Sequence, residues 1–310
     1  MDVKNLTVLK GDAKISDGRI MLDFVNTTQE KEVTDRTKET KDVKKQAKEV
    51  TTCEVRSDVI FTNGSLELTF KTNHIDSGIL WILQTQDGSG ATAGLSNTFK
   101  SFLFGDAISH FKPIIEAGGL KNYPLNESLR MRLDVFGSYA KLFVNNILMV
   151  ETTINSKQAP LQIRASTKGH LEIYDLKASP IKPKIFIVMQ FSKEYNELYE
   201  DVIKPVVEEF GYEAVRADEF YTAAPILKDI IESIEQSIAI IAEITPDNPN
   251  VFYEIGYSHA IKKPTILLCD RNREKLPFDI SSFRTLFYEN TIAGKRKVES
   301  SLKKYLQNIK

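Results

Sequence analysis

The run Ile238-Ala239-Ile240-Ile241-Ala242-Glu243-Ile244 is apolar except for Glu243. A short apolar run bounded by polar residues reads as a strand buried on both faces of a parallel sheet. Behind it comes Asp247-Asn248-Pro249-Asn250. Asn248 or Asn250 caps a helix there, with Pro249 tolerated in its first turn. The order is therefore buried strand, short polar turn, helix. In open α/β sheets, ligands bind where helices start beside the carboxyl ends of central strands.

Glu254 lies about one turn into that helix, between Phe252, Tyr253, Ile255 and Gly256. Tyr257 and Ser258 follow at i+3 and i+4 and share its face. Two readings stand. A carboxylate among aromatics beside a cleft stabilises positive charge or attacks an electrophilic carbon. Alternatively, it is a solvated glutamate favoured by the helix dipole. Gly256 inside a helix costs roughly 1 kcal/mol against Ala, which suits close backbone packing.

Strands and helices alternate through the C-terminal part. Strands are expected at Ile185–Gln190, Tyr212–Arg216, Ile238–Ile244, Pro264–Cys269 and Leu286–Tyr288. Helices are expected at Tyr195–Phe210, kinked at Pro205 and stopped by Gly211, and from Pro225 to Gln236, with Ile226, Ile230, Ile231 and Ile234 on one face. The Glu254 helix and a basic terminal helix, Lys297–Ile309, complete the set. This alternation argues for a flavodoxin-like parallel sheet with helices on both faces. Its crevice lies between the ends of the first and third strands. Those ends supply Gln190, Phe191 and Ser192, then Asp218, then Thr245, Asn248, Asn250, Glu254 and Tyr257 as candidate substrate contacts. Phe191 either stacks on a base or nicotinamide ring or packs. Asp218 either holds a ribose hydroxyl or base edge or closes a turn. Glu243 is expected to turn outward or pair with a cation. Arg216, Arg271 and Arg284 are either phosphate contacts or surface arginines.

Asn248-Pro249-Asn250-Val251-Phe252-Tyr253-Glu254-Ile255-Gly256-Tyr257-Ser258-His259-Ala260, with Lys263-Pro264-Thr265-Ile266-Leu267-Leu268, resembles the TIR-like and nucleoside 2-deoxyribosyltransferase-like superfamily. Lys184-Ile185-Phe186-Ile187-Val188-Met189-Gln190-Phe191, Val215-Arg216-Ala217-Asp218-Glu219, and Pro277-Phe278-Asp279-Ile280 with Arg284 and Tyr288 fit the same pattern. The likeness spans roughly residues 183–310. It implies an N-glycosidic bond hydrolase with Glu254 as the catalytic carboxylate and NAD as substrate rather than cofactor. It also implies a self-associating effector of antiviral defence. The alternatives are a nucleoside or nucleotide N-glycosidase or 2-deoxyribosyltransferase, and a non-catalytic nucleotide-binding scaffold. The short Asp218–Pro225 segment is nearer in length to the deoxyribosyltransferase side.

The N-terminal half has a different period. Arg19–Phe24, Ser65–Phe70, Leu129–Val135, Lys141–Val144 and Gly169–Leu176 alternate apolar and polar residues, separated by turn residues such as Asn63-Gly64, Asp87-Gly88 and Asn145-Asn146. This is the pattern of an all-β sandwich. Ser77-Gly78-Ile79-Leu80-Trp81, Leu142–Leu148 and His170–Leu176 resemble concanavalin-like and laminin-G-like jelly rolls. Many such modules bind sugars and others serve in assembly. Trp81 is either a sugar platform or core. The organisation read from this is a sandwich over residues 1–179 for sensing a trigger or for assembly, a Pro-rich linker over 180–184, and the catalytic candidate over 185–310. Residues 29–50 form a mixed-charge insert, either a solvated loop or helix or a partner-binding arm.

A chain of 310 residues has room for two cores, and its net charge of −1 argues against a general nucleic-acid binder. No apolar run is long enough to span a bilayer, and Met1-Asp2-Val3-Lys4-Asn5-Leu6 lacks the apolar region of a signal peptide. Cys53 and Cys269 fall in different parts of the chain, so the reading is a cytoplasmic protein with free thiols. His74, His110, His170 and His259 are scattered without metal-ligand spacing.

Overall fold

The computed structural model describes the chain except residues 25–27, 30–45, 48–49, 86, 108–111, 220–225, 274–275, 277–282 and 310. The charged insert, Pro225 and the Pro277–Ile280 motif therefore lie largely or wholly outside the described residues. Within the insert only a short ladder pairs Thr28–Gln29 with Gln46–Ala47.

Among the described residues, sixteen strands come first. They are β1 (Leu6–Gly11), β2 (Lys14–Ser16), β3 (Arg19–Asp23), β4 (Thr28–Gln29), β5 (Gln46–Ala47), β6 (Thr51–Phe61), β7 (Gly64–Thr72) and β8 (Gly78–Leu83). Then follow β9 (Ala91–Leu95), β10 (Phe102–Asp106), β11 (Pro113–Ala117), β12 (Ser128–Phe136), β13 (Tyr139–Val144), β14 (Ile147–Thr153), β15 (Ala159–Thr167) and β16 (His170–Pro180). All but β4 and β5, which pair with each other, form two seven-stranded sheets, ordered β1-β6-β15-β8-β9-β10-β11 and β14-β13-β12-β7-β16-β3-β2. Neighbours run antiparallel, as in β12 against β7 and β15 against β6. The result is an antiparallel β-sandwich of the jelly-roll kind.

Alternation along the strands explains the packing. β6 is buried at every second residue from Thr51, and β7 and β12 follow the same rule. One side of each strand therefore faces the core, where Phe70, Trp81, Phe102 and Phe104 are enclosed. Trp81, at 1% exposure, is core and offers no platform to a sugar. Asn145 and Asn146, with φ of 48° and 66°, form the tight β13–β14 turn that two left-handed residues permit.

The second part holds β17 (Lys184–Val188), α1 (Lys193–Leu198), a π turn (Tyr199–Ile203), α2 (Lys204–Glu209), β18 (Glu213–Arg216) and α3 (Ile226–Gln236). It continues with β19 (Ser237–Glu243), α4 (Pro249–Ala260), β20 (Thr265–Asp270), β21 (Thr285–Tyr288) and α5 (Ile292–Ile309). The sheet is parallel, in the order β18-β17-β19-β20-β21. Ile185, Ile187, Ala239 and Ile241 pack with α1, α2 and α5; Phe186, Val188, Ile240 and Ala242 pack with α3 and α4.

Two element boundaries differ from the sequence expectation. The Tyr195–Phe210 helix is not simply kinked at Pro205 but widens into the π turn just before it. Proline has no N–H, and its ring crowds the carbonyl four residues back, so the preceding turn opens. The last helix begins at Ile292 rather than Lys297, because Thr291 caps it. Its hydroxyl accepts from Gly294 N at 3.0 Å and its carbonyl from Lys295 N at 2.9 Å.

The two parts meet at the β12–β13 turn. Ser138 N donates across to Glu235 O at 3.3 Å, while Gly137 N is held within the sandwich by Asn63 Oδ1 at 2.7 Å. The Lys263 ammonium, 3% exposed, donates to Ser138 Oγ at 2.5 Å, to Glu235 O at 2.9 Å and to Ser237 O. It thus satisfies carbonyls at the end of α3 that helix geometry leaves open. Burial pulls its pKa down to about 7, against the Glu235 charge, which raises it.

Gly137 has φ +62°, and a β-carbon there would fall 2.2 Å from the backbone carbon of Gln236. Gly211 has φ +83°, with nothing within 4 Å of such a carbon. Gly211→Ala should therefore cost ~1–2 kcal/mol, the left-handed backbone alone. Gly137→Ala should cost clearly more, because the methyl group forces the two parts apart. Denaturant unfolding of both variants measures the difference.

Candidate active site at the carboxyl end of the parallel sheet

β17 has β18 on one side and β19 on the other, so the chain leaves β17 and β19 toward opposite faces. Such a switch point opens a crevice beyond the strand ends. Past β19, Asn248 adopts an extended conformation and caps α4, its Oδ1 accepting from Asn250 N at 3.0 Å. Pro249 fills the first helical position, where no N–H is needed.

The cleft measures about 360 Å³. Gln190 and Phe191 line it from the end of β17, Ile226, Leu227 and Ile230 from α3, and Asn248, Asn250, Val251, Tyr253 and Glu254 from α4 and its cap. Ile187, Met189 and Ala217 form its floor. A mostly apolar cleft of this size with a few convergent polar groups suits a small organic ligand.

Glu254 is half-buried here and not a solvated surface residue. Burial raises its pKa from an ordinary 4.5 to about 7. Among the described residues no group donates a hydrogen bond to its carboxylate. The hydroxyl of Ser258, fully enclosed, donates to the Glu254 backbone carbonyl at 2.7 Å and not to its carboxylate. An unpartnered carboxylate with a raised pKa at a cleft wall is poised to act on a ligand.

The cleft gathers Glu254, Gln190, Phe191, Asn248 and Asn250 from the sequence candidates, and leaves out Ser192, Asp218, Thr245 and Tyr257. Ser192 caps α1, its carbonyl accepting from Asn196 N at 2.8 Å. Asp218 takes two prongs of Arg216, each at 2.6 Å. Thr245 turns beneath the sheet end, its hydroxyl accepting from Asp270 N at 2.8 Å and donating to Glu243. Tyr257 faces α3, its hydroxyl donating to Glu235 at 2.5 Å. Sharing a helix turn with Glu254 was not enough, because the cleft reaches only the first half of α4.

No arginine expected at a phosphate lines the cleft. Arg216 is buried in its pair with Asp218, Arg271 lies 3.6 Å from Glu289 on the surface, and Arg284 is exposed elsewhere. Asp247 is paired with Arg273. Glu243 does not turn outward, and among the described residues no cation pairs with it. At 1% exposure it accepts from Tyr288 Oη at 3.0 Å and from Thr245 N at 3.1 Å. Burial lifts its pKa to about 7 against those hydrogen bonds.

Tyr253, Ile226 and Leu227 were not singled out as site residues. Tyr253 is 52% exposed on the cleft wall. Ile226 and Leu227 lie exposed at the start of α3. Ile226, expected on the packing face of α3, is instead 66% exposed at the cleft, because the helix start projects past the sheet end. Among the described residues no group of three or more His, Cys, Asp or Glu could hold a metal ion. Among the described residues no helix is long and apolar enough to cross a membrane. Cys53 and Cys269 are free and buried.

No protein-family model and no curated protein matches the sequence. Among solved structures, about half the chain aligns with a carbohydrate-binding module, CBM66, from Bacillus subtilis, with TM-score 0.39 and 9% identity, over 56% of this chain and 94% of that one. A protein of unknown function with a galectin-like fold from Bacillus subtilis gives TM-score 0.39 and 10% identity, over 56% and 88%. The Bacillus licheniformis β-glucanase gives TM-score 0.36 and 13% identity, over 57% and 92%. At these scores the alignments carry no argument about what this chain does.

Glu243 binds its proton more tightly folded than unfolded. Between pH 4.5 and about 7 the folded state keeps a proton that the unfolded chain has lost, so stability falls as pH rises through that window. The loss for this enclosed group is on the order of 3 kcal/mol. Glu243→Gln should flatten the pH dependence and raise the unfolding midpoint above pH 7 relative to the parent. Thermal unfolding at pH 5 and pH 8 tests this.

Proposed function

We propose that the cleft cleaves N-glycosidic bonds, that Glu254 is the catalytic carboxylate, and that NAD is the substrate. The observation that carries this is the Glu254 carboxylate, half-buried in the cleft that Phe191 and Tyr253 also line, with no hydrogen-bond donor among the described residues. Breaking an N-glycosidic bond leaves an oxocarbenium-like sugar. A carboxylate against its face stabilises that charge or captures the anomeric carbon.

The choice of NAD follows from the leaving group. Nicotinamide is cationic when attached and leaves neutral, so it needs no proton. Glu254 is the one carboxyl group among the described lining residues, since Arg216 and Arg273 hold Asp218 and Asp247 elsewhere. Sugar–oxygen bonds are usually cleaved by two carboxyl groups. The resemblance of residues 183–310 to the TIR-like superfamily, and the strand order of the sheet, support the same reading. In it the protein is a cytoplasmic defence effector that works as a homo-oligomer, with the sandwich receiving the trigger or driving assembly.

A second reading is a nucleoside or nucleotide N-glycosidase or deoxyribosyltransferase. The observation favouring it is that no Lys or Arg lines the described cleft, so nothing there grips a diphosphate.

Chromatography after incubation with NAD, and separately with a panel of nucleosides and nucleotides, decides between them. We expect nicotinamide release from NAD, reduced at least ~100-fold in Glu254→Gln. Free base from nucleosides with NAD intact would transfer the protein to the second reading, and wild-type turnover by Glu254→Gln would remove Glu254 from the mechanism. The pH profile gives an independent check. Activity should rise through about pH 7 as the Glu254 proton is lost, because the ionised form does the work.

A further inference from the structure

We infer that Phe191 is a stacking platform for an uncharged base of the adenine kind, and that the Arg216 cation behind it sets this choice. The inference rests on the reading of the cleft as a nucleotide site.

Phe191 leaves the end of β17 with 52% of its surface exposed on the cleft wall. A large aromatic face kept open at a cleft suits a planar ligand group. The Arg216 guanidinium carbon lies 5.5 Å from the ring centroid, and Arg216 itself is only 5% exposed. The cation thus sits on the protein side of the ring and the ligand space on the other.

Arg216 is fixed there on every side. Two of its nitrogens bind Asp218, each at 2.6 Å, and Nη1 donates to Asn196 Oδ1 at 2.9 Å. The Tyr199 ring lies 4.3 Å from its guanidinium carbon. Ligand binding therefore meets a preset guanidinium, whose charge the Asp218 carboxylate partly offsets.

A ring face is electron-rich and attracts cations. A cation already placed over one face draws on that density and repels a second positive charge across the ring. The cationic nicotinamide of NAD is thus disfavoured on Phe191, whereas an uncharged, electron-rich base is favoured. Glu254, with its unpartnered carboxylate, offers the opposite environment on α4. NAD carries both groups. Its adenine fits Phe191, and its nicotinamide–ribose bond fits Glu254.

The test uses full-length Glu254→Gln, which binds without turnover, and two ligands with the same ribose 5′-phosphate: AMP and nicotinamide mononucleotide. Calorimetric titration should show Phe191→Ala weakening AMP by roughly five- to hundredfold, the range for losing one stacked base. Nicotinamide mononucleotide should change less than threefold, by roughly the scatter of an uninvolved contact. Phe191→Trp should hold AMP at least as well as Phe, which separates stacking from misfolding. Arg216→Met should shift the preference toward nicotinamide mononucleotide.

Equal weakening of both ligands, unchanged AMP binding in Phe191→Ala, or no AMP binding by the parent would each overturn the platform. NAD cleavage by the wild-type protein is measured alongside. Cleavage without a Phe191 effect on AMP removes the platform alone. Phe191-dependent AMP binding without cleavage of any substrate keeps the platform and removes the N-glycosidase reading.

Discussion

The complete burial of β19 governs the C-terminal part. All its residues, from Ser237 to Glu243, are enclosed. A strand covered on both faces has no room for polar side chains unless they are partnered. Polar residues therefore collect just past its carboxyl end, as Thr245, Asp247 and Asn248 do. With β17 beside it and β18 beyond, that end borders the switch point of the sheet. The Asn248 cap then starts α4 at the mouth of the crevice, and Glu254 follows on its wall.

Glu243 and Glu254 show how burial alone fails to define a reactive group. Each is lifted to about 7 by desolvation. The pleat turns Glu243 toward the α1 and α5 side, where Tyr288 and Thr245 fill its acceptor sites. It is closed off from any ligand. Glu254 has no donor among the described residues and borders open space. The two groups share a direction of pKa shift, but only one can meet an electrophile. Access and free acceptor capacity separate them.

Much of this was legible from periodicity. Period two marked β3, β7, β12, β13 and β16, and alternating strand and helix signals marked the parallel sheet. β9 was not visible, because Ala91-Thr92-Ala93-Gly94-Leu95 is buried throughout and does not alternate. The position of Glu254 was legible because caps and prolines are local signals. What periodicity could not supply were partners brought in by the fold. Asp218 looked free until its Arg216 neighbour turned back on it, and Tyr257 looked like a site residue until Glu235 of α3 took its hydroxyl. Glu243 needed Tyr288, far along the chain, to be accommodated inside.

The same dependence on distant partners binds the two parts of the chain. α3 contributes Ile226 and Leu227 to the cleft at one end, and at the other its Glu235 carbonyl meets Ser138 N and Lys263. α4 carries Glu254 and leads within a few residues to that same lysine. The sandwich supplies Ser138 to the Lys263 ammonium, alongside carbonyls from the α/β part itself. A buried ammonium needs such partners. Both cleft helices are thus held at their far ends by one hydrogen-bonded joint. The α/β part is incomplete in its polar contacts without the sandwich, so the cleft geometry is a property of the whole chain.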